Sequence, residues 1–171
     1  GLPVETGGVT VNRNCASSLQ AINDAALAVV GGCEEVQIAG GVEHMDHLPL
    51  EKDYNPCPSL YRRHSEASMN MGLTAEYLAA RYRVDRAHQD EYALRSHQRA
   101  AAATDRGAFR AEIVPTWGRD GAGRKTLLEA DQGIRRDTSP ESLAALAPVF
   151  NPAGGSVTAG NSSQVSVGAA A

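Results

Sequence analysis

An α/β fold is predicted by three features of this sequence. A helical segment with Leu19, Ile22, Ala26 and Val29 at spacings of three and four is flanked by two short β-branched segments, residues 8–12 and 35–39. Strand, helix and strand together occupy about 30 residues, the length of a βαβ unit with parallel strands. Aromatic residues make up 5% of the chain while Gly and Ala are plentiful, which suits helix-on-sheet packing better than a sandwich rich in Tyr and Trp.

Each element has its own local signal. Val9 and Val11 alternate with polar residues, the pattern of a half-buried strand. The helix that follows ends at Gly31-Gly32, residues that readily take the left-handed conformation of a helix terminus. Val36 and Ile38 mark the second strand, and Gly40-Gly41 reads as a turn after it. Residues 42–69, rich in Pro, His and charge, are expected as irregular structure. Two helices are expected next, one over 74–83 and one capped by Asp85, running through Ala103 and stopping near Gly107. Residues 112–115 read as a short strand, and the segment holding Gly118, Gly121 and Gly123 as a turn-rich connection. Thr138-Ser139-Pro140-Glu141 combines a capping hydroxyl, an early Pro and an early Glu, so a helix starts there and Pro148 limits it. The polar, Gly-rich residues 151–166 lead into a final apolar strand.

The 171 residues, 42% hydrophobic and 21% charged, suffice for one ordinary domain with a core. Acidic and basic residues are interspersed, with a net charge of −4, which argues against a nucleic-acid footprint or a polybasic membrane face. No window approaches the roughly 18 apolar residues of a membrane span, and the first residues hold no charged segment followed by a hydrophobic signal core. Cys15, Cys33 and Cys57 form no CxxC, so neither a disulfide framework nor a zinc ribbon is indicated and a reducing cytoplasm is the expected location. Gly1 and the apolar run at 167–171 mark the chain as an interior piece of something longer.

Cys15 is the most informative residue. It lies where the first predicted strand meets the helix, in Val11-Asn12-Arg13-Asn14-Cys15-Ala16-Ser17-Ser18. Unpaired N–H groups and the helix dipole stabilise a thiolate there, and Arg13 adds to the effect, so the thiol is expected to titrate low and act as a nucleophile. The competing reading is a small residue packing the helix start.

These residues resemble the thiolases, the acetyl-CoA acyltransferases and acetyltransferases. Residues 11–18 resemble the family's nucleophile segment, and Gly40-Gly41-Val42-Glu43-His44-Met45 its Gly-Gly-x-Glu-x-Met segment. Met71-Gly72-Leu73-Thr74-Ala75-Glu76 and Thr158-Ala159-Gly160-Asn161-Ser162-Ser163 resemble two further signatures, and all four stand in the family's order. The resemblance implies a thiolase-type layered α/β fold. Residues 1–41 would belong to its N-terminal half, 42–160 to an inserted coenzyme A-binding loop domain, and 161–171 to the return into the N-terminal half. It further implies an acyl-CoA C-acyltransferase: 3-ketoacyl-CoA is cleaved with CoA to acetyl-CoA and a shortened acyl-CoA, or condensed in reverse, through an acyl intermediate on Cys15. Backbone N–H groups near the nucleophile, including that of Cys15, would stabilise the developing oxyanion. Met71, Arg135, Ser142, Phe150, Ala159 and Ser163 sit where family members contact CoA. A guanidinium suits a phosphate or an adenine, a phenyl ring offers an apolar wall, and a hydroxyl reaches a pantetheine amide. CoA and acyl-CoA are substrates, and no permanently bound cofactor or metal is implied. Glu43-His44-Met45 leans towards the fatty-acid β-oxidation branch, and the full-length enzymes are commonly homodimers or tetramers.

Some positions depart from the family. Asn70 stands where many members carry His, and Val167 where most carry Asp. The Gly-His-Pro histidine, the Asn-Glu-Ala-Phe segment and the second cysteine are absent, and His44, His47, His64, His88 and His97 lie outside any Gly-His-Pro context. The 171-residue piece alone is therefore expected to be inactive. An alternative is a noncatalytic thiolase-like protein that binds acyl-CoA or pairs with a fuller subunit. A ketosynthase-type condensing enzyme shares the nucleophile logic but not this loop-domain sequence. His44, His47, Cys57 and His64 fit no common zinc spacing, and in residues 118–126 Lys125 is displaced by one from a phosphate-loop Gly-Lys, so a surface turn is expected there.

Overall fold

The computed structural model describes residues 2–45, 47, 52 and 54–171. In chain order the elements are α1 (Ser17–Val30), β1 (Gly41–His44), α2 (Pro58–Tyr61), a 3-10 turn (Glu66–Met69), α3 (Met71–Tyr82), α4 (Arg86–Asp105), β2 (Thr116–Arg119), β3 (Lys125–Leu128), α5 (Pro140–Ala144) and β4 (Val167–Ala170). They pack as two units, Gly1–Tyr54 with Val165–Ala171, and Asn55–Gln164. Among the described residues no helix is long and apolar enough to cross a membrane.

In the first unit α1 ends as its sequence predicts. Gly32 is left-handed (φ 70°), and the N–H groups of Cys33 and Gly32 return to the carbonyls of Ala28 and Val29 at 2.9 and 3.1 Å. This satisfies carbonyls that a helix end leaves open. The predicted parallel βαβ unit does not form. Residues 8–12 and 35–39 carry no ladder, and Val9, Val36 and Ile38 are exposed. A strand is made by its hydrogen-bonded neighbour, and among the described residues neither segment has one. The ladder that does form is antiparallel and joins β1 to β4, from Gly41↔Ala170 to His44↔Val167.

Gly40-Gly41 is accordingly no turn. A Cβ on Gly40 would come 2.9 Å from the carbonyl oxygen of Ala170, and one on Gly41 would run into the hydroxyl of Ser18. The pair is small because β4 and α1 approach its backbone. The expected apolar face of α1 is also not the packed one. Leu19, Ile22 and Val29 are exposed, whereas Ala21, Ala25 and Ala28 are half-buried.

In the second unit both central helices start at side-chain caps. Asn70 Oδ1 accepts from the Leu73 N–H (3.0 Å), three residues ahead of the expected start, and Asp85 Oδ1 accepts from the His88 N–H (2.9 Å). Gly107 (φ 74°) ends α4 where expected. Residues 112–115 are not a strand, because the N–H groups of Glu112 and Ile113 both turn back to the Phe109 carbonyl at 3.0 Å. Strand begins instead at Thr116, and β2 and β3 form an antiparallel hairpin. Gly118 lies inside β2, where a Cβ would come 2.7 Å from Leu128 Cδ1. The tip is a surface turn: Asp120 Oδ1 accepts from the N–H groups of Ala122 and Arg124 at 2.9 Å each, and Gly123 is left-handed (φ 78°). In α5, Ser139 and Ser142 form a reciprocal capping box with Pro140 in the first turn.

The core of this unit gathers Ala103 of α4, Leu143 of α5 (4% exposed), Val157 and the wholly buried Thr158. The buried Gly72 of α3 lies against the Phe150 ring, which a Cβ there would enter. Gly72→Ala is expected to destabilise by about 1–3 kcal/mol, the usual cost of overpacking, whereas Gly121→Ala, with open space around it, stays near neutral. Urea denaturation of the two variants checks this.

Candidate functional site

Cys15 is unpaired and exposed. It is held by a short turn whose hydrogen bonds come from its neighbours. Asn12 Oδ1 accepts from the Asn14 N–H (3.1 Å). Ser17 Oγ accepts from the Arg13 N–H and donates to the Asn14 carbonyl, both at 2.7 Å. Asn14 takes a left-handed φ of 50°, uncommon without glycine and best tolerated by Asn or Asp. This reversal sets Cys15 beside Ala16, the N-cap of α1. Arg13 is not directed at the thiol, since its Nη1 donates to Gln20 Oε1 at 2.7 Å.

Arg135 lines a half-open cavity of about 300 Å³ over α4, with Leu94, His97, Ala101 and Thr138. That volume is at the lower limit for small-molecule pockets and fits one ring or phosphate group of a larger ligand. His97 Nδ1 accepts from the Arg135 N–H (3.2 Å), and the Arg135 carbonyl accepts from Thr138 Oγ1 (2.9 Å). The backbone is thus fixed, while among the described residues the Arg135 guanidinium has no hydrogen-bond or ion-pair partner. Arg136 differs: it forms a two-pronged pair with Asp105 at 2.9 and 3.0 Å. This pair holds the Asp105 carboxyl below the usual carboxylate range and raises Arg136.

Other residues the resemblance singled out form a second group. Met71, 76% exposed, opens α3 immediately before Gly72, on which the Phe150 ring rests. Pro148 pairs with Thr158, and the Val149 N–H donates to the Val157 carbonyl (2.9 Å), so the Phe150 segment lies along the strand-like stretch leading to Ala159. Ala159 and Ser163 are exposed. Ser142 is exposed, but its hydroxyl already donates to the Ser139 carbonyl (2.9 Å) and accepts from the Ser139 N–H (3.0 Å), leaving one lone pair.

A polar bracket holds residues 156–161. Glu76 of α3 accepts from the Ser156 N–H (2.9 Å), Ser156 Oγ (3.1 Å) and the Val157 N–H (2.9 Å). Asn161 Oδ1 accepts from the Thr158 N–H (2.8 Å), while its Nδ2 donates to the Ser156 carbonyl and to Asp90 Oδ1, each at 3.0 Å. Arg86 Nε donates to Asp90 Oδ2 (2.7 Å), and its Nη2 donates to the carbonyls of Leu143 and Leu146 at the end of α5. Arg86, Gln89 and Asp90 stand outside every signature segment. Their one signal is the i, i+4 spacing of Arg86 and Asp90, which on a polar helix reads as a solvated pair.

Partial burial pushes the Glu76 carboxyl upward, but the hydrogen bonds from Ser156 and Val157 outweigh it and hold the group below its ordinary value of 4.5. Its contribution to stability is therefore fully present above about pH 4.5 and is lost as pH falls through the depressed native value. In urea titrations the stability gap between the unmodified protein and Glu76→Gln is expected to narrow as pH drops through that window.

Among the described residues no group of three or more His, Cys, Asp or Glu could hold a metal ion. The His44 and His47 rings meet edge to face at 5.5 Å, with His44 Nδ1 accepting from the His47 N–H (3.1 Å).

The described residues form a mixed α/β chain whose paired strands β1 and β4 are separated by a helical excursion, with a cysteine on a left-handed turn at a helix start. Comparison with known proteins assigns the chain to the thiolase fold class. The family described as "Thiolase, N-terminal domain" matches residues 1–171. The 3-ketoacyl-CoA thiolases of Pseudoalteromonas translucida and of Vibrio cholerae are each 49% identical over all 171 residues. The chain spans 44% of the length of each. Among solved structures, the dimeric peroxisomal thiolase of Saccharomyces cerevisiae is similar with a TM-score of 0.83 at 36% identity, covering 99% of this chain and 44% of that one. Human mitochondrial 3-ketoacyl-CoA thiolase is similar with a TM-score of 0.81 at 34% identity, covering 99% of this chain and 46% of that one. The chain belongs to the thiolase family.

Proposed function

We propose that this chain carries the nucleophile and much of the coenzyme A-binding surface of a 3-ketoacyl-CoA thiolase of fatty-acid β-oxidation. The Cys15 thiolate attacks the 3-oxo carbon of a 3-ketoacyl-CoA. The C2–C3 bond breaks, and the enolate of acetyl-CoA takes up a proton and leaves. The thiol of a second CoA then attacks the acyl-cysteine, releasing the shortened acyl-CoA and returning the thiol to Cys15. Backbone N–H groups beside Cys15 steady the oxyanion at each addition. Condensation is the same sequence reversed.

The observation that carries this reading is the exposed Cys15 on its left-handed turn, in a chain whose curated relatives are 3-ketoacyl-CoA thiolases. The Arg135 guanidinium, without a partner among the described residues, lies beside its cavity and supports phosphate or adenine binding, and Met71, Ser142, Phe150, Ala159 and Ser163 supply further contacts to CoA. CoA is substrate, not resident cofactor. A homo-oligomer is supported by the dimeric yeast relative. Three unpaired, exposed cysteines suit a reducing cytoplasm. The inserted loop domain, expected over residues 42–160, is assigned to the compact unit Asn55–Gln164, because residues 42–44 pair with β4 in the first unit.

The test begins with the intact mass of the protein made from its own gene, followed by thiolysis of acetoacetyl-CoA and peptide mapping of the acyl adduct. An acetyl group on Cys15 is the expected result. Turnover without any adduct on Cys15 overturns the mechanism. The 171-residue chain by itself is expected to show no thiolysis, since it lacks a Gly-His-Pro histidine to act as base.

A further inference from the structure

The segment 151–163 has little regular structure, yet Val157 and Thr158 within it are buried. A loop of that kind keeps one shape only if its buried backbone groups find fixed partners. Here side chains from outside the loop supply several of them. Glu76 of α3 takes two successive N–H groups and a hydroxyl, and Gln89 Nε2 of α4 donates to the same Ser156 hydroxyl at 2.9 Å. Asp90 of α4, its side chain 10% exposed, anchors Asn161, the loop's internal clasp. Through Arg86 the same carboxylate is joined to the last carbonyls of α5. The bracket therefore ties α3, which begins with Met71, to α5, which carries Ser142, and to the stretch with Ala159 and Ser163. None of its own charged groups is one of those contacts.

We propose that Glu76 and the Arg86–Asp90 pair are positioning residues that hold the coenzyme A-facing surface of this unit in its binding shape. This rests on the assignment of that surface under the proposed function. The physical reason is preorganisation: a loop already ordered loses less conformational entropy when a ligand settles on it, and slackening the loop returns that cost to the binding step. The bracket should thus act on CoA binding and leave the chemistry at Cys15 alone. It predicts a split that general destabilisation would not produce.

The experiment uses the protein made from its own gene, with Glu76→Gln and Asp90→Asn, both near-isosteric. Glu76→Gln turns one acceptor oxygen into a donor facing the Ser156 N–H, and Asp90→Asn removes the charge opposite Arg86. KM for CoA in thiolysis of acetoacetyl-CoA is expected to rise about tenfold in each, the equivalent of roughly one lost hydrogen bond, while kcat at saturating CoA stays within about twofold. Hydrogen exchange at the Ser156 and Val157 amides is expected to accelerate in parallel, and Asp90→Glu is expected to recover part of the loss. An unchanged KM in a folded Glu76→Gln protein overturns the inference, as does a fall in kcat at constant KM. Should Asp90→Asn not fold, Glu76→Gln decides, because it leaves the Arg86–Asp90 pair intact. If the unmodified protein shows no saturable dependence on CoA, the functional assignment falls and this inference with it. A saturable unmodified protein matched by its variants removes this inference alone.

Discussion

Under the proposed function, Cys15→Ala in the protein made from its own gene is expected to lower kcat for thiolysis by at least about 10³-fold and to abolish the acyl-enzyme adduct, because it removes the thiol assigned to carry the acyl chain. KM for CoA is expected to stay within about threefold, since the proposed function assigns the binding contacts to other residues. Cys33→Ala and Cys57→Ala serve as controls and should leave the rate unchanged within about twofold. The readout must be the acyl adduct and not alkylation. Cys57 is also exposed, with its Sγ 3.1 Å from Ser59 Oγ, and hydrogen bonds from the Ser59 hydroxyl and N–H draw its thiol below the ordinary value. A thiol-directed reagent will therefore label Cys57 as well. A Cys15→Ala protein that retained acetyl label on another residue would remove Cys15 from the mechanism.

The largest effect on stability is expected from Asp90→Ala. That change leaves the quarter-exposed Arg86 without its anion and Asn161 Nδ2 without one of its two acceptors. Breaking a buried, hydrogen-bonded pair from one side costs about 3 kcal/mol. The contrast is Asp105→Ala, which breaks the Arg136 pair, 2.9 Å apart where Arg86–Asp90 is 2.7 Å, with both side chains more than half exposed. Solvent already screens that pair, so the change should cost far less than Asp90→Ala. Urea denaturation midpoints at constant slope separate the two. Equal losses would mean that the bracket is no better sheltered than the surface pair.

Helix starts were legible in the sequence because they are decided within four residues. Asp85 and Ser139 cap the helices their spacing predicts, and Gly31-Gly32 and Gly107 end α1 and α4. Strands were largely not legible, because a strand depends on a partner that local composition does not show. Residues 8–12 and 35–39 have strand composition without a ladder, whereas Thr116–Arg119 forms one despite Gly118, because Lys125–Leu128 folds back onto it. The pairing of β1 with β4 depends on residues at opposite ends of the chain, which no local pattern reveals. The candidate site divides in the same way. Cys15, Met71 and Ala159 lie in signature segments and Arg135 in a run that resembles the family, so each could be named from the sequence. Arg86 and Asp90 could not, because burial alone distinguishes them from an ordinary surface pair, and burial is a property of the packed fold.

The antiparallel register that matches His44 with Val167 places the departure and return of the intervening chain on facing residues of one ladder, with Cα atoms about 5 Å apart. A segment whose ends meet so closely behaves as a cassette. With its ends held at that spacing, it can be lengthened, shortened or exchanged for a relative's without stretching β1 and β4. The turn that holds Cys15 lies wholly on the framework side of that ladder. Under the proposed function, changes in carrier binding fall within the cassette and leave the residues of the Cys15 turn unchanged.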